Sequence, residues 1–405
     1  MEQSLSSGDE ANAKEAPSSR LILLSLVVPT SVVWIPSLLA GILLIDIGET
    51  FGQPVGVVGQ LFTVTRIVGV ASALVLGVLS ARYSHKRLLM LGLFSYILFA
   101  VGCYVAPSFG VVLISYSFSG LGLAVVLPMA LALVGEHLPQ ERRAWAIGWI
   151  SISTAISGIF IGPLVASIVD YGGWRLPIIV FVLPLTLLGL VLVQRWLPSS
   201  ANEQTSGGGG ADFLGGFKSI FSDRSALSCL IGYALALASM TVLGSYCPSF
   251  LRERFLVSTS FVSTLYAGIN LLYSLGSAAA SRLVDRFSRK LVLIVSLLVE
   301  SALVMYSTSS NSLWVAVAVI LVAYTLMGVI YPVAISLTLE QTSGFRGTIM
   351  ALNSAAGNLG MAVGAGIGGM VLLTHNYGMV GVSLGALGVL GTLTYRFLVV
   401  DPARE

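Results

Sequence analysis

Charge is scarce in this chain. Of its 405 residues only 10% are Asp, Glu, Lys or Arg, against roughly 25% in soluble domains. Hydrophobic residues make up 56%, and the mean hydropathy is +0.93. A soluble protein of this length has no use for so much apolar surface, so the composition predicts a polytopic helical membrane protein set in a lipid bilayer. Histidine and cysteine are equally sparse, with three of each. His85, His137 and His375 fall at loops far apart in sequence, without metal-ligand spacing. No phosphate-cradling glycine loop with its lysine is present either. Neither an embedded enzyme nor a metal or organic cofactor is expected. Cys103, Cys229 and Cys247 all lie in or beside apolar runs, where cysteine acts as a small packing residue. A net charge of +3 gives no reason to expect nucleic acid as a partner. A signal peptide is also missing from view, since residues 1–20 are polar and mixed in charge; they read as a cytoplasmic tail.

What the chain has is apolar runs. A span needs about 20 mainly apolar residues, and twelve can be placed. They cover approximately 21–41, 55–81, 88–106, 109–135, 144–169, 176–196, 226–247, 258–281, 291–308, 313–338, 347–373 and 379–399. Between the sixth and seventh lies a polar stretch, 198–225, containing four consecutive glycines, the composition of a flexible linker. It separates a unit at 21–197 from one at 226–399, with a short tail at 400–405. The two units carry the same landmarks at an offset of 204: Arg82 and Arg286, Lys86 and Lys290, Pro128 and Pro332, Glu136 and Glu340, Arg142 and Arg346, Gly162 and Gly366. An ungapped register of this length marks a duplication in the same direction. The expected fold is therefore all-α, twelve transmembrane helices in two six-helix bundles related by a pseudo-two-fold axis along the membrane normal. A solute site then belongs at the interface of the halves near mid-depth, and alternating access follows from two similar bodies rocking about it.

Lysine and arginine set the orientation. With the N-terminus inside, 17 of the 21 basic residues fall on the cytoplasmic side, three (Arg175, Arg252, Arg254) fall outside, and Arg66 is left within a span. Both termini are expected in the cytoplasm.

The hairpin Gly77–Arg87 and its duplicate, Asp285-Arg286-Phe287-Ser288-Arg289-Lys290, resemble the loop signature of the major facilitator superfamily. The first copy has Ala81 where that signature has aspartate, and Ser281 replaces the leading glycine of the second. Glu136 with Arg142, and Glu340 with Arg346, are similar to the family's acid and arginine at the fourth-to-fifth and tenth-to-eleventh connections. Gly158 to Pro163 and Gly172-Gly173-Trp174-Arg175 are similar to motifs of its drug/proton antiporter branch. The resemblance implies a monomeric secondary transporter of a small organic molecule, most similar to the efflux branch, in the cell membrane, with protons or another coupling ion. The rival readings are an importer of a small organic anion and a sensor with a transporter fold. The resemblance further implies that Asp285, Arg286, Arg289, Glu340 and Arg346 form a cytoplasmic latch. Its N-terminal counterpart (Arg82, Lys86, Glu136, Arg142) lacks the central anion.

Arg66 is the most informative single residue, a cation mid-way along the second span on a face of small and polar residues (Gly59, Thr63, Gly69, Ala73). An arginine there costs roughly 2.5–3.5 kcal/mol on insertion scales and should face the bundle interior. Its duplicate position is Asn270. These two, with Trp34, Tyr331 and Asn358, are the candidate substrate residues. Two readings of Arg66 stay open: a site for an anionic or polar group, or a structural arginine bonded to a neighbouring span. Tyr116, Tyr233, Tyr246, Tyr273, Tyr324 and Asn353 are weaker candidates. Glu300 is ionisable, but the ninth span is peripheral in the family, which argues against proton carriage. Asp46, Glu49 and Asp170 fall at outer ends and should be solvated. Gly158-x-x-x-Gly162 and the series Gly360, Gly364, Gly368 fit either static close packing or a sliding seam. On the latch reading Asp285→Asn impairs transport far more than Ala81→Asp changes it. Full transport by Asp285→Asn, in protein that reaches the membrane, would remove the latch.

Overall fold

The structure is a computed structural model. It describes residues 19–80, 82–198, 215, 218–342 and 345–401. The N-terminal tail, most of the glycine-rich linker, Ala81 and the last four residues lie outside it.

The described residues form helices and short connections, with no strand among them. We number the spanning helices α1 to α12. α1 is broken, Ser19–Ser31 followed by Ile35–Phe51. Pro29 withholds a backbone N–H inside its first piece, and Pro36 starts the second, so the chain turns at 32–34. α2 comprises Val55–Val58 and Gln60–Leu79; α3 is His85–Val105, α4 Phe109–His137 and α5 Gln140–Gly172. α6 runs through Arg175–Pro177, a π-helical turn at Ile178–Val182, and Leu183–Trp196. α7 is Arg224–Ser245 plus Cys247–Phe255, with Pro248 at the restart. α8 is Thr259–Arg286, α9 Arg289–Ser307, α10 Leu313–Glu340, α11 Arg346–Thr374 and α12 Tyr377–Leu398.

Eleven of these are long and apolar enough to cross a membrane. The exception is α8, which has the length, 28 residues, but carries Ser263, Thr264, Asn270, Ser274 and Ser277 along it. Those side chains are tolerable in a bilayer only when protein or a cavity faces them. Two other helices run past their expected ends. α1 continues to Phe51 and α7 to Phe255, taking Asp46 and Arg252 into helix rather than loop.

The helix pairings repeat. In the first half α3 packs on α4, α2 on α4, α1 on α6, α3 on α6 and α1 on α5. In the second, α9 packs on α10, α8 on α10, α7 on α12, α9 on α12 and α7 on α11, the same scheme six helices later. The halves meet chiefly through α2 against α11 and α5 against α8, two seams that the internal symmetry interchanges. The chain thus forms two six-helix bundles, as its repeat implied.

The glycines divide between these two kinds of contact. A Cβ at Gly158 would press on Asn270, and one at Gly162 would stand 2.9 Å from the Ser263 carbonyl, both across the α5–α8 seam. The series Gly360, Gly364, Gly368 instead abuts Ala234, Ala238 and Tyr246 of α7, inside the second half. The α11 glycines that approach α2 are Gly366 and Gly369, on another face. One motif is a seam and the other is static packing. Gly360→Val, driven into the α7 backbone, should cost 1–3 kcal/mol or more. Gly148→Val, with open space around it, should be near neutral. Thermal unfolding in detergent compares them; equal melting temperatures would refute the assignment.

Candidate functional site

A cavity of about 200 Å³ lies between the halves. α1 contributes Ser37, Leu38, Gly41 and Ile42, and α2 contributes Phe62 and Arg66. From the second half come Met240, Thr241 and Ser245 of α7, Tyr266, Ile269 and Asn270 of α8, Tyr324 and Met327 of α10, and Met361 of α11. α4 contributes none of the lining residues.

Arg66 and Asn270, 204 residues apart, thus reach one cavity from opposite halves. Arg66 is 7% exposed. Its Nη1 donates to Asn358 Oδ1 at 3.1 Å, and its guanidinium lies over the Trp34 ring, 5.3 Å from the centroid. The break in α1 puts Trp34 there. Among the described residues no carboxylate forms an ion pair with Arg66. Asn270 Nδ2 donates to the Tyr266 carbonyl at 2.7 Å. Trp34 and Asn358 therefore flank Arg66 rather than line the cavity. Tyr331 stacks obliquely on Tyr233 at 6.1 Å, and its phenol is close enough to Arg66 to interact with it electrostatically. Of the weaker candidates only Tyr324 is in the lining. Tyr116 packs edge-on against Phe99 at 4.9 Å. Asn353 is buried with its Oδ1 unpartnered. Glu300 is fully buried in the second half, next to Ser239, and is not among the lining residues.

The end of the molecule that carries the first and last helical residues is its basic face; the other is the distal face. The halves are joined at mid-depth and toward the distal face. A Cβ at Gly56 would stand 2.5 Å from the Gly369 carbonyl. Tyr246 is wedged between Gly59 and Gly368, donating its hydroxyl to the Ala365 carbonyl at 2.6 Å. Arg252 of α7 donates to both Asp46 oxygens, at 2.5 and 3.1 Å, and to the Ile42 carbonyl at 3.0 Å. Asp46 was expected to be solvated, and this bidentate partner is why it is not. Glu49 and Asp170 are exposed as expected. Toward the basic face the halves part. Ala71, Ala73, Leu74 and Val75 are exposed nearly all round α2.

The family model of the major facilitator superfamily matches residues 30–258 and 229–405. The chain belongs to that superfamily. It is similar to a probable 4-methylmuconolactone transporter of Cupriavidus pinatubonensis, 26% identical over 86% of this chain and 82% of the relative. It is also similar to a probable sugar efflux transporter of Helicobacter pylori, 23% identical over 88% and 90% of the two chains. A D-xylose-proton symporter structure shares the fold, with a TM-score of 0.76 at 15% identity over 94% and 98% of the chains.

Of the expected latch charges, the described residues show one pair, Arg289 with Glu340, in this conformation. Lys86 donates to the carbonyls of Leu197 at 2.5 Å and Gln194 at 3.2 Å, capping the C-terminus of α6. Lys290, its duplicate, donates to the Val399 carbonyl at 2.5 Å beyond α12. Both place a cation at the negative end of a helix. Glu136 meets His85 and His137, not the expected Arg142, whose side chain is exposed. Glu340 pairs with Arg289, and residue 289 is the duplicate of residue 85. The repeat thus fixes the acid's partner at the hairpin in both halves. Arg82, Asp285 and Arg286 are exposed, with no side-chain ion pair among the described residues. The Arg346 side chain lies outside the described residues. Of the branch motifs, Gly173 adopts φ +64°, which favours glycine, and so aims Trp174 Nε1 at Thr50 Oγ1, 2.9 Å away.

The Asp46–Arg252 pair should hold the distal side shut. Asp46→Asn or Arg252→Gln should raise, several-fold, the rate at which an impermeant maleimide added from the distal side labels a Ser245→Cys reporter. The reporter sits in protein lacking the native cysteines. Unchanged labelling would deny the pair this role.

Proposed function

We propose that this superfamily member is a secondary active transporter that moves a small organic solute by alternating access, in the direction of efflux. One observation carries the reading: a cavity at the interface of two like halves, sealed on one face and parted on the other. In this reading the rigid bodies are 21–197 and 226–399, linked by 198–225. Arg66 and Asn270 contact the solute, supported by Trp34, Asn358 and Tyr331. The positive-inside rule makes the basic face cytoplasmic, so this conformation is open inward.

The latch charges fit that state. A cluster that closes the cytoplasmic side is undone when the cavity opens to it, which accounts for an exposed Arg286 and for an Asp285 without an ion pair among the described residues. In the outward-open state the same residues, with Arg82, Arg142 and Arg346, come together while Asp46 and Arg252 separate. Efflux is supported by the resemblance of Gly158–Pro163 to the antiporter branch and by the relative named as a sugar efflux transporter. The protein works as a monomer in the cell membrane, each copy holding a complete cavity.

Counterflow in proteoliposomes, with and without an imposed pH gradient, tests this. The expected result is transient accumulation of labelled solute against unlabelled solute inside. Saturable binding without any flux would instead make the protein a sensor.

A further inference from the structure

Among the described residues the cavity holds a cation without a counter-ion: Arg66 is the only charged side chain in the described lining, and it is more than nine-tenths buried. Its one described hydrogen bond goes to a neutral amide, Asn358; its guanidinium also lies over the Trp34 ring, with the neutral phenol of Tyr331 nearby. A guanidinium carries five N–H donors in a rigid fork that matches a carboxylate. Taking such a group out of water is unfavourable unless an anion compensates it. The internal repeat supplies a second constraint. The equivalent position in the other half is Asn270, which is neutral and gives one of its two Nδ2 hydrogens to the Tyr266 carbonyl. The described lining therefore supplies one positive charge for an anion and no second one. The same lining holds the adaptable apolar side chains Met240, Met327 and Met361 with the ring of Tyr324. At about 200 Å³ the cavity is smaller than the roughly 300–1,000 Å³ of pockets for drug-sized ligands.

We propose that the solute is a small organic monoanion, its carboxylate forked by Arg66 and its apolar body lying along the methionine wall toward Asn270. Asn358 is a positioning residue that orients the guanidinium, and Trp34 forms the floor beneath it. This rests on the reading of the protein as a transporter and narrows what it carries. A relative named as a 4-methylmuconolactone transporter is compatible with a compact unsaturated solute of this kind.

The test uses the purified full chain and matched probes: benzoate, hexanoate and levulinate, their primary amides, and the dicarboxylates phthalate, adipate and glutarate. Melting temperature reads binding, and counterflow in proteoliposomes reads transport. At least one monocarboxylate should stabilise the protein and exchange, its amide should do neither, and its dicarboxylate partner should be at least about tenfold weaker. Arg66→Gln should weaken the response roughly 30-fold or more, as expected for removing one partner of a buried charge pair. Arg66→Lys should recover binding in part, since it restores the charge without the fork. Should Arg66→Gln fail to fold, the comparison of acid with amide on the wild-type protein decides. The proposal is overturned if amides match their acids, if no monocarboxylate binds, or if Arg66→Gln responds as wild type does. Arg66-dependent binding without counterflow would leave the anion site standing and sink the transport reading. Counterflow of neutral probes untouched by Arg66→Gln would do the reverse.

Discussion

Hydrocarbon offers no partner to a polar group, and that constraint organises this molecule. Each backbone N–H and C=O within the bilayer must be paired by the chain itself, which leaves helices as the form of every described span. Each side chain with a charge or an amide must then face another helix or a cavity. α8 shows the rule at work: too polar to qualify as a span by composition, it sets Asn270 against α5 and the central cavity and turns the Ser274 hydroxyl back onto its own backbone. Arg66 shows it more sharply, buried among an amide, an indole and a solute-sized space.

Duplication extends the same economy. Lys86 and Lys290 cap the helices that end each half, α6 and α12, so one hairpin design closes both bundles. Glu136 and Glu340 also keep a common geometry, but their partners differ, histidine in one half and arginine in the other. Where the halves need not differ, the copies have stayed alike. At the interface they have diverged, Arg66 against Asn270, and the cavity is correspondingly asymmetric in charge.

Much of the fold was legible because its signals are local and repeated. Runs of apolar residues set the spans, the 204-residue offset set the halves, and the lone arginine of the second span drew attention to a surface that does line the cavity. The misses share one cause: each depended on a partner distant in sequence. Asp46 reads as a solvated helix end until Arg252, 206 residues away, is seen beside it. The two glycine series look alike on paper and differ only in which helix each one faces. Arg142 is six residues from Glu136, yet the acid turns to His85 on the adjacent helix.

Composition and periodicity by themselves determined the membrane class, the twelve helices and the twofold plan. They could do so because desolvation of apolar and polar groups is a property of each residue in its own segment. Only the tertiary structure decided which face is sealed, which charges pair and which glycines form the seam. Those outcomes depend on the distance between surfaces carried by separate helices, and linear order holds no record of that distance.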